Sequence, residues 1–66
     1  MEDIGKLKKL IEHWSEHNIE HAETYEEWAI KAKEMGREDL YKILNDIASK
    51  TRGIEELYEK AKKVIR

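Results

Sequence analysis

His13, His17 and His21 are the only histidines of the 66-residue chain, and they recur at intervals of four. Residues four apart are neighbours on one face of a helix. On a helix the three imidazoles therefore form a ridge that turns through about 80° from end to end. An i, i+4 pair of imidazoles can chelate one transition ion, as in helical zinc motifs. The ridge offers two overlapping pairs that share His17. Its outer members stand about 12 Å apart along the axis, too far to close on a single ion. A complete site needs a carboxylate, a water or a residue of a second chain.

Carboxylates are at hand. Between Lys9 and Lys31 there is no Lys or Arg, and the interval carries Glu12, Glu16, Glu20, Glu23, Glu26 and Glu27. The metal-ligating set read from this pattern is His13, His17 and His21 with Glu20 as the first carboxylate. Imidazole with carboxylate suits Ni, Co, Zn or Cu, and the affinity order alone favours Cu and Zn; three ligands do not encode the ion. The competing reading is a solvated acidic face whose histidines pair with glutamates.

Other chemistry finds less support. The chain has no cysteine, which excludes disulfides and thiolate zinc sites. The Glu-x-x-His pairs of di-iron bundles are absent, as is the His-Glu-x-x-His of zinc proteases. Ser15 and Ser49 lack a neighbouring base. The expectation is a protein that is not an enzyme. Charged residues make up 42% of the chain with a net charge of -2, so no basic surface for nucleic acid is expected. Apolar runs are far too short for a membrane span. The start of the chain lacks the apolar stretch of a secretory signal, giving a cytoplasmic expectation. Abundant Glu and Lys without Cys is thermophile-like.

The elements that must position the histidines are helices. Proline is absent, good helix formers dominate, and period-2 alternation is missing. Ile4, Leu7, Ile11, Trp14, Asn18, His21, Tyr25, Trp28, Ala32 and Met35 follow steps of three and four. They predict one helix over about 3–35, with Asp3 as N-cap and Gly36 as the left-handed residue beyond its end. Leu40, Leu44, Ile47, Thr51, Ile54, Tyr58, Ala61 and Ile65 predict a second helix over about 38–65. Gly53 lies inside it, and a break there gives an alternative three-helix arrangement. The five aromatics lie on or beside these stripes and read as core.

The fold class is all-α, a single domain over residues 1–66 built as an antiparallel two-helix hairpin. Ile19 and Ile30 lie off the stripe, and pairing two hairpins into a four-helix bundle would cover them; a homodimer is expected. With the turn near residue 37, residues whose numbers sum to about 74 lie level. Asn18, His21 and Thr51 then form a polar layer at the middle of the seam, with Gly53 leaving room opposite His21. A polar layer of this kind fixes register and partner number.

The run HWSEHNIEHAETYEEWAIKAKEMG resembles a small His-rich helical family of mainly archaeal chains, with the pattern His-Trp-x-x-His-Asn-x-x-His-Ala followed by an aromatic, Trp-Ala and Gly. His13, Trp14, His17, Asn18, His21, Ala22, Tyr25, Trp28, Ala29 and Gly36 fall on that pattern, over roughly residues 10–50. The resemblance implies an association with nickel and cobalt handling. The functional expectation is a small helical protein binding a divalent transition metal through the histidine stripe, as a carrier, buffer or accessory domain. The alternative is a non-metal protein–protein interaction or oligomerisation module whose polar layer is structural.

Overall fold

The structure, a computed structural model, describes residues 2–65. Two helices, α1 (Glu2–Glu34) and α2 (Glu38–Val64), pack against each other as one antiparallel hairpin. Its long dimension is 53 Å. The observed ends fall within one residue of the predicted ones. α2 runs unbroken through Gly53, so the two-helix arrangement holds over the three-helix alternative.

The turn is a Schellman closure. Gly36 N–H donates to the Lys33 carbonyl at 3.0 Å and Arg37 N–H to the Ala32 carbonyl at 2.9 Å, which satisfies carbonyls that the end of α1 leaves free. Gly36 adopts φ +80°, a region where a Cβ is unfavourable. α2 starts without a side-chain cap. Asp39 substitutes in part: its carboxylate accepts the Leu40 N–H at 2.9 Å and pairs twice with the Arg37 guanidinium at 3.1 Å. At the other end Asp3 is not the predicted N-cap. It lies inside the first turn of α1, where a carboxylate still faces the positive end of the helix dipole.

The contact between the helices differs from the predicted seam by a rotation. The buried or half-buried residues of α1 are Ile11, Ser15, Asn18, Ala22, Tyr25, Glu26, Ala29 and Ala32. Those of α2 include Tyr41, Leu44, Ala48, Thr51, Glu55 and Tyr58. Alternate positions of the predicted stripe survive, namely Ile11, Asn18, Tyr25 and Ala32. Between them Ser15, Ala22 and Ala29 replace Trp14, His21 and Trp28. Each residue of such a pair advances about 103°, so the contact is centred about 50° from the apolar stripe. The physical reason is size. Fully buried positions are occupied by Ser15, Ala22, Ala29, Ala32 and Ala48, small side chains over which two backbones approach closely, whereas tryptophan would hold them apart. Trp14 and Trp28 are consequently 44% and 50% exposed and are not core in this chain.

In an antiparallel pair, residues displaced in the same rotational sense from the seam emerge on the same side. Leu7, Leu10, Trp14 and Trp28 of α1 therefore share one face of the hairpin with Leu40, Ile43, Ile47, Ile54, Leu57 and Val64 of α2, and all are exposed. The opposite face is polar and carries the Glu26–Arg52 pair. Ile19 and Ile30 lie on that polar side and are exposed, so pairing through the apolar face would not cover them. Their position gives no support to a dimer.

Candidate functional site

Midway along the hairpin the seam is polar, and Glu55 is its hub. The Ser15 hydroxyl donates to Glu55 Oε1, and Asn18 Nδ2 donates to Glu55 Oε2 at 3.2 Å and to the Thr51 carbonyl at 2.8 Å. The Thr51 hydroxyl turns back to the Ile47 carbonyl at 2.8 Å. Ser15 is 1% exposed, and among the described residues no buried side-chain polar atom lacks a partner. A buried polar group left without a partner costs about 1–3 kcal/mol, so this network sets the axial register of the two helices. The predicted layer of Asn18 and Thr51 is present, but His21 does not belong to it. Ser15 and Glu55 take its place. They were recognisable as small or acidic residues at levels that sum to about 70; the misplaced stripe centre hid them.

His21 stands on the shoulder of the seam facing the apolar side. Gly53 does not make room for it: this glycine lies on the outward side of α2, and a Cβ there would meet nothing within 4 Å. His13, His17 and His21 are all exposed and climb away from the seam in that reverse order. Their rings pack edge-on, with centroids 4.4 Å apart for His13–His17 and 6.1 Å for His17–His21. Two imidazoles sharing an ion at a metal–nitrogen distance of about 2.0–2.1 Å have centroids about 5 Å apart. Either pair reaches that spacing by side-chain rotation alone. A shallow concavity of about 220 Å³ is lined by Trp14, His17, Asn18, His21 and Tyr58. It places His17 and His21, though not His13, at the centre of the apolar face. Among the described residues of one chain, no three His, Asp or Glu side chains converge so as to hold a metal ion. Glu20 is exposed on the outward surface of α1, two turns along the helix from His13.

The strongest electrostatic feature lies on the opposite face. Arg52 grips Glu26 with two bonds, Nε to Oε2 at 2.6 Å and Nη2 to Oε1 at 2.7 Å. These hydrogen bonds hold the Glu26 carboxyl below the usual carboxylate range and raise Arg52. At the turn, the hydrogen bonds from Arg37 likewise lower Asp39. Both pairs are solvent-exposed and structural, and neither adjoins the histidines. No described helix is long and apolar enough to cross a membrane.

Residues 7–65 match the family described as "Domain of unknown function (DUF8180)". The chain is 41% identical over 58 residues to an uncharacterized protein of Archaeoglobus fulgidus, covering 88% of this chain and 92% of that relative. No solved structure matches it.

Proposed function

Because the chain belongs to the DUF8180 domain family, whose description carries no activity to borrow, we propose a function from the geometry: a self-pairing interaction module, two hairpins closing into a four-helix bundle. One observation carries this reading. The heptad of Ile11, Trp14, Asn18, His21, Tyr25 and Trp28 points about 50° away from the hairpin partner. In a square four-helix bundle each helix faces the bundle axis about 45° away from its neighbour. The large apolar residues thus point where the axis of a bundle would run, and in a lone hairpin they point into water.

Surface area supports the same reading. A compact chain of 7.9 kDa exposes about 4,400 Å² by the usual scaling, whereas this one exposes 5369 Å². The excess of roughly 1,000 Å² is comparable with the ~800 Å² that each partner contributes to a standard interface. Sedimentation equilibrium of the full chain is expected to give a dimer. The double substitution Ile47→Glu with Leu57→Glu is expected to give monomer, while Ile19→Glu with Ile30→Glu on the polar face leaves the dimer intact. A wild-type chain that sediments as monomer at high micromolar concentration would sink the reading.

The position of the histidines favours a second reading beside it. His17 and His21 stand at the middle of the same apolar face, where a solvated polar group has no packing purpose. On this reading the bundle binds a divalent transition metal (Ni, Co, Zn or Cu) through His13, His17 and His21 with Glu20, as a carrier, buffer or accessory domain. Calorimetric titration of chelator-treated protein tests it; absence of heat with all four ions would exclude it.

A further inference from the structure

We infer that His17 and His21 form half of a metal site, and that a second copy of this chain supplies the other half as the same two residues. The inference rests on the four-helix pairing above. One chain gathers no set of three ligands among its described residues, yet the His17–His21 pair has i, i+4 spacing and faces the side on which a second hairpin would sit. His13 points away from that side and is excluded from the shared site.

The two ways of pairing differ at the histidines. With both turns at one end, α1 of each copy lies along α2 of the other. His21 is then level with Lys50, whose ammonium pairs with Asp46 of its own helix, and a cation stands beside the imidazoles. With the turns at opposite ends, α1 lies against α1 and α2 against α2, and the twofold axis crosses α1 near its midpoint, close to Asn18. Residues whose numbers sum to about 38 then lie level by the helical rise. Trp14 meets the small Thr24 of the second copy, Leu10 meets Trp28, and His17 meets His21. This arrangement sets Leu10 against Trp28, gives the bulky Trp14 a small neighbour, and sets histidine against histidine at the axis. It brings four imidazoles together about the axis. Each copy's i, i+4 pair spans about 6 Å along its helix, with the twofold midway, so one ion on the axis can take a nitrogen from each ring. Four neutral imidazoles suit zinc, copper, nickel or cobalt. Glu20, three residues from His17 on α1, lies nearest of the glutamates and helps to offset the dication's charge.

The test uses the full chain, first stripped with EDTA and then titrated with Co(II) and Zn(II), read by sedimentation and by the visible absorption of bound Co(II). The expected result is a dimer in EDTA that takes one Co(II) per two chains and is competed by Zn(II). His17→Ala and His21→Ala each abolish the absorption with helix content unchanged, and His13→Ala retains it. A dimer in EDTA that takes up neither ion overturns the shared site and leaves the four-helix pairing standing. A monomer in every condition overturns both. Dimerisation only on addition of Co(II) supports the shared site and overturns metal-free pairing. One ion per chain, lost in His13→Ala, assigns the metal to a single-chain site and overturns the sharing.

Discussion

Two stripes run side by side along this hairpin, and they use opposite residue types. The stripe that touches the partner helix is made of Ser15, Ala22, Ala29, Ala32 and Ala48, all buried. The stripe beside it, facing outward, is made of Leu7, Trp14, Trp28, Leu40, Ile47 and Ile54, all at least 40% exposed. In a finished domain large apolar side chains are the ones most profitably removed from water, at about 25 cal/mol per Å². The inversion teaches that the hairpin contact governs geometry, through close approach and the Glu55 network, while most of the available hydrophobic stabilisation lies on a face that the single chain leaves open.

The largest effect is expected where the inner stripe is made to resemble the outer. Ala22→Leu inserts bulk where Ala22 is 0% exposed, and overpacking of this kind costs about 1–3 kcal/mol or more; urea unfolding would register it as a lower midpoint. The same kind of enlargement on the polar face, Ile30→Trp, where Ile30 is exposed, is expected to leave stability within about 0.5 kcal/mol, as surface changes do.

The polar hub comes next. Glu55→Ala removes the acceptor for Ser15 and one of the two acceptors for Asn18, and an unsatisfied buried hydroxyl costs about 1–3 kcal/mol. Pairing Glu55→Ala with Ser15→Ala should recover part of the loss, because the hydroxyl then no longer needs a partner. A double variant no more stable than Glu55→Ala alone would show that Ser15 is not a member of the network.

Glycines give a smaller pair of opposite sign. Gly53 is helical with open space around its missing Cβ, so Gly53→Ala is expected to stabilise by about 1 kcal/mol. Gly36 has φ +80°, and Gly36→Ala is expected to destabilise by about 1 kcal/mol. Thermal melts of the two variants should move in opposite directions.

The smallest effect concerns the polar face. Glu26 and Asp39 have folded pKa values below their unfolded ones. Their contribution is therefore fully present above the ordinary carboxylate range and is lost as pH falls through the lowered folded values. Asp39 is exposed and the Glu26 side chain is 41% exposed, so the loss is shallow and weakened by salt. Glu26→Gln should remove part of the acid dependence seen in denaturation midpoints at low ionic strength, and an unchanged acid limb would contradict the role given to Arg52.

Much of the architecture was legible because it depends on local rules. The absence of proline and the three-four spacing gave the helix lengths, and Gly36 gave the turn. The candidate ligands were legible by type and spacing, with His17 common to both pairs. Asp3 as a cap, Gly53 as a space for His21 and the tryptophans as core were misread. Each of these depended on where a helix starts or on which way a face is turned, and spacing along one strand of sequence carries neither.

The sequence by itself determined that there are two helices, where the chain reverses, and that large apolar residues lie along one stripe of each. Only the tertiary structure decided which flank of that stripe the neighbouring helix occupies. A heptad stripe is wide enough to accept a partner on either flank, and the choice falls to the small residues beside it: backbones approach over Ser15, Ala22, Ala29 and Ala48, and Glu55 locks them level with Ser15 and Asn18. That one rotation leaves His17 and His21 on an uncovered apolar face rather than inside the hairpin.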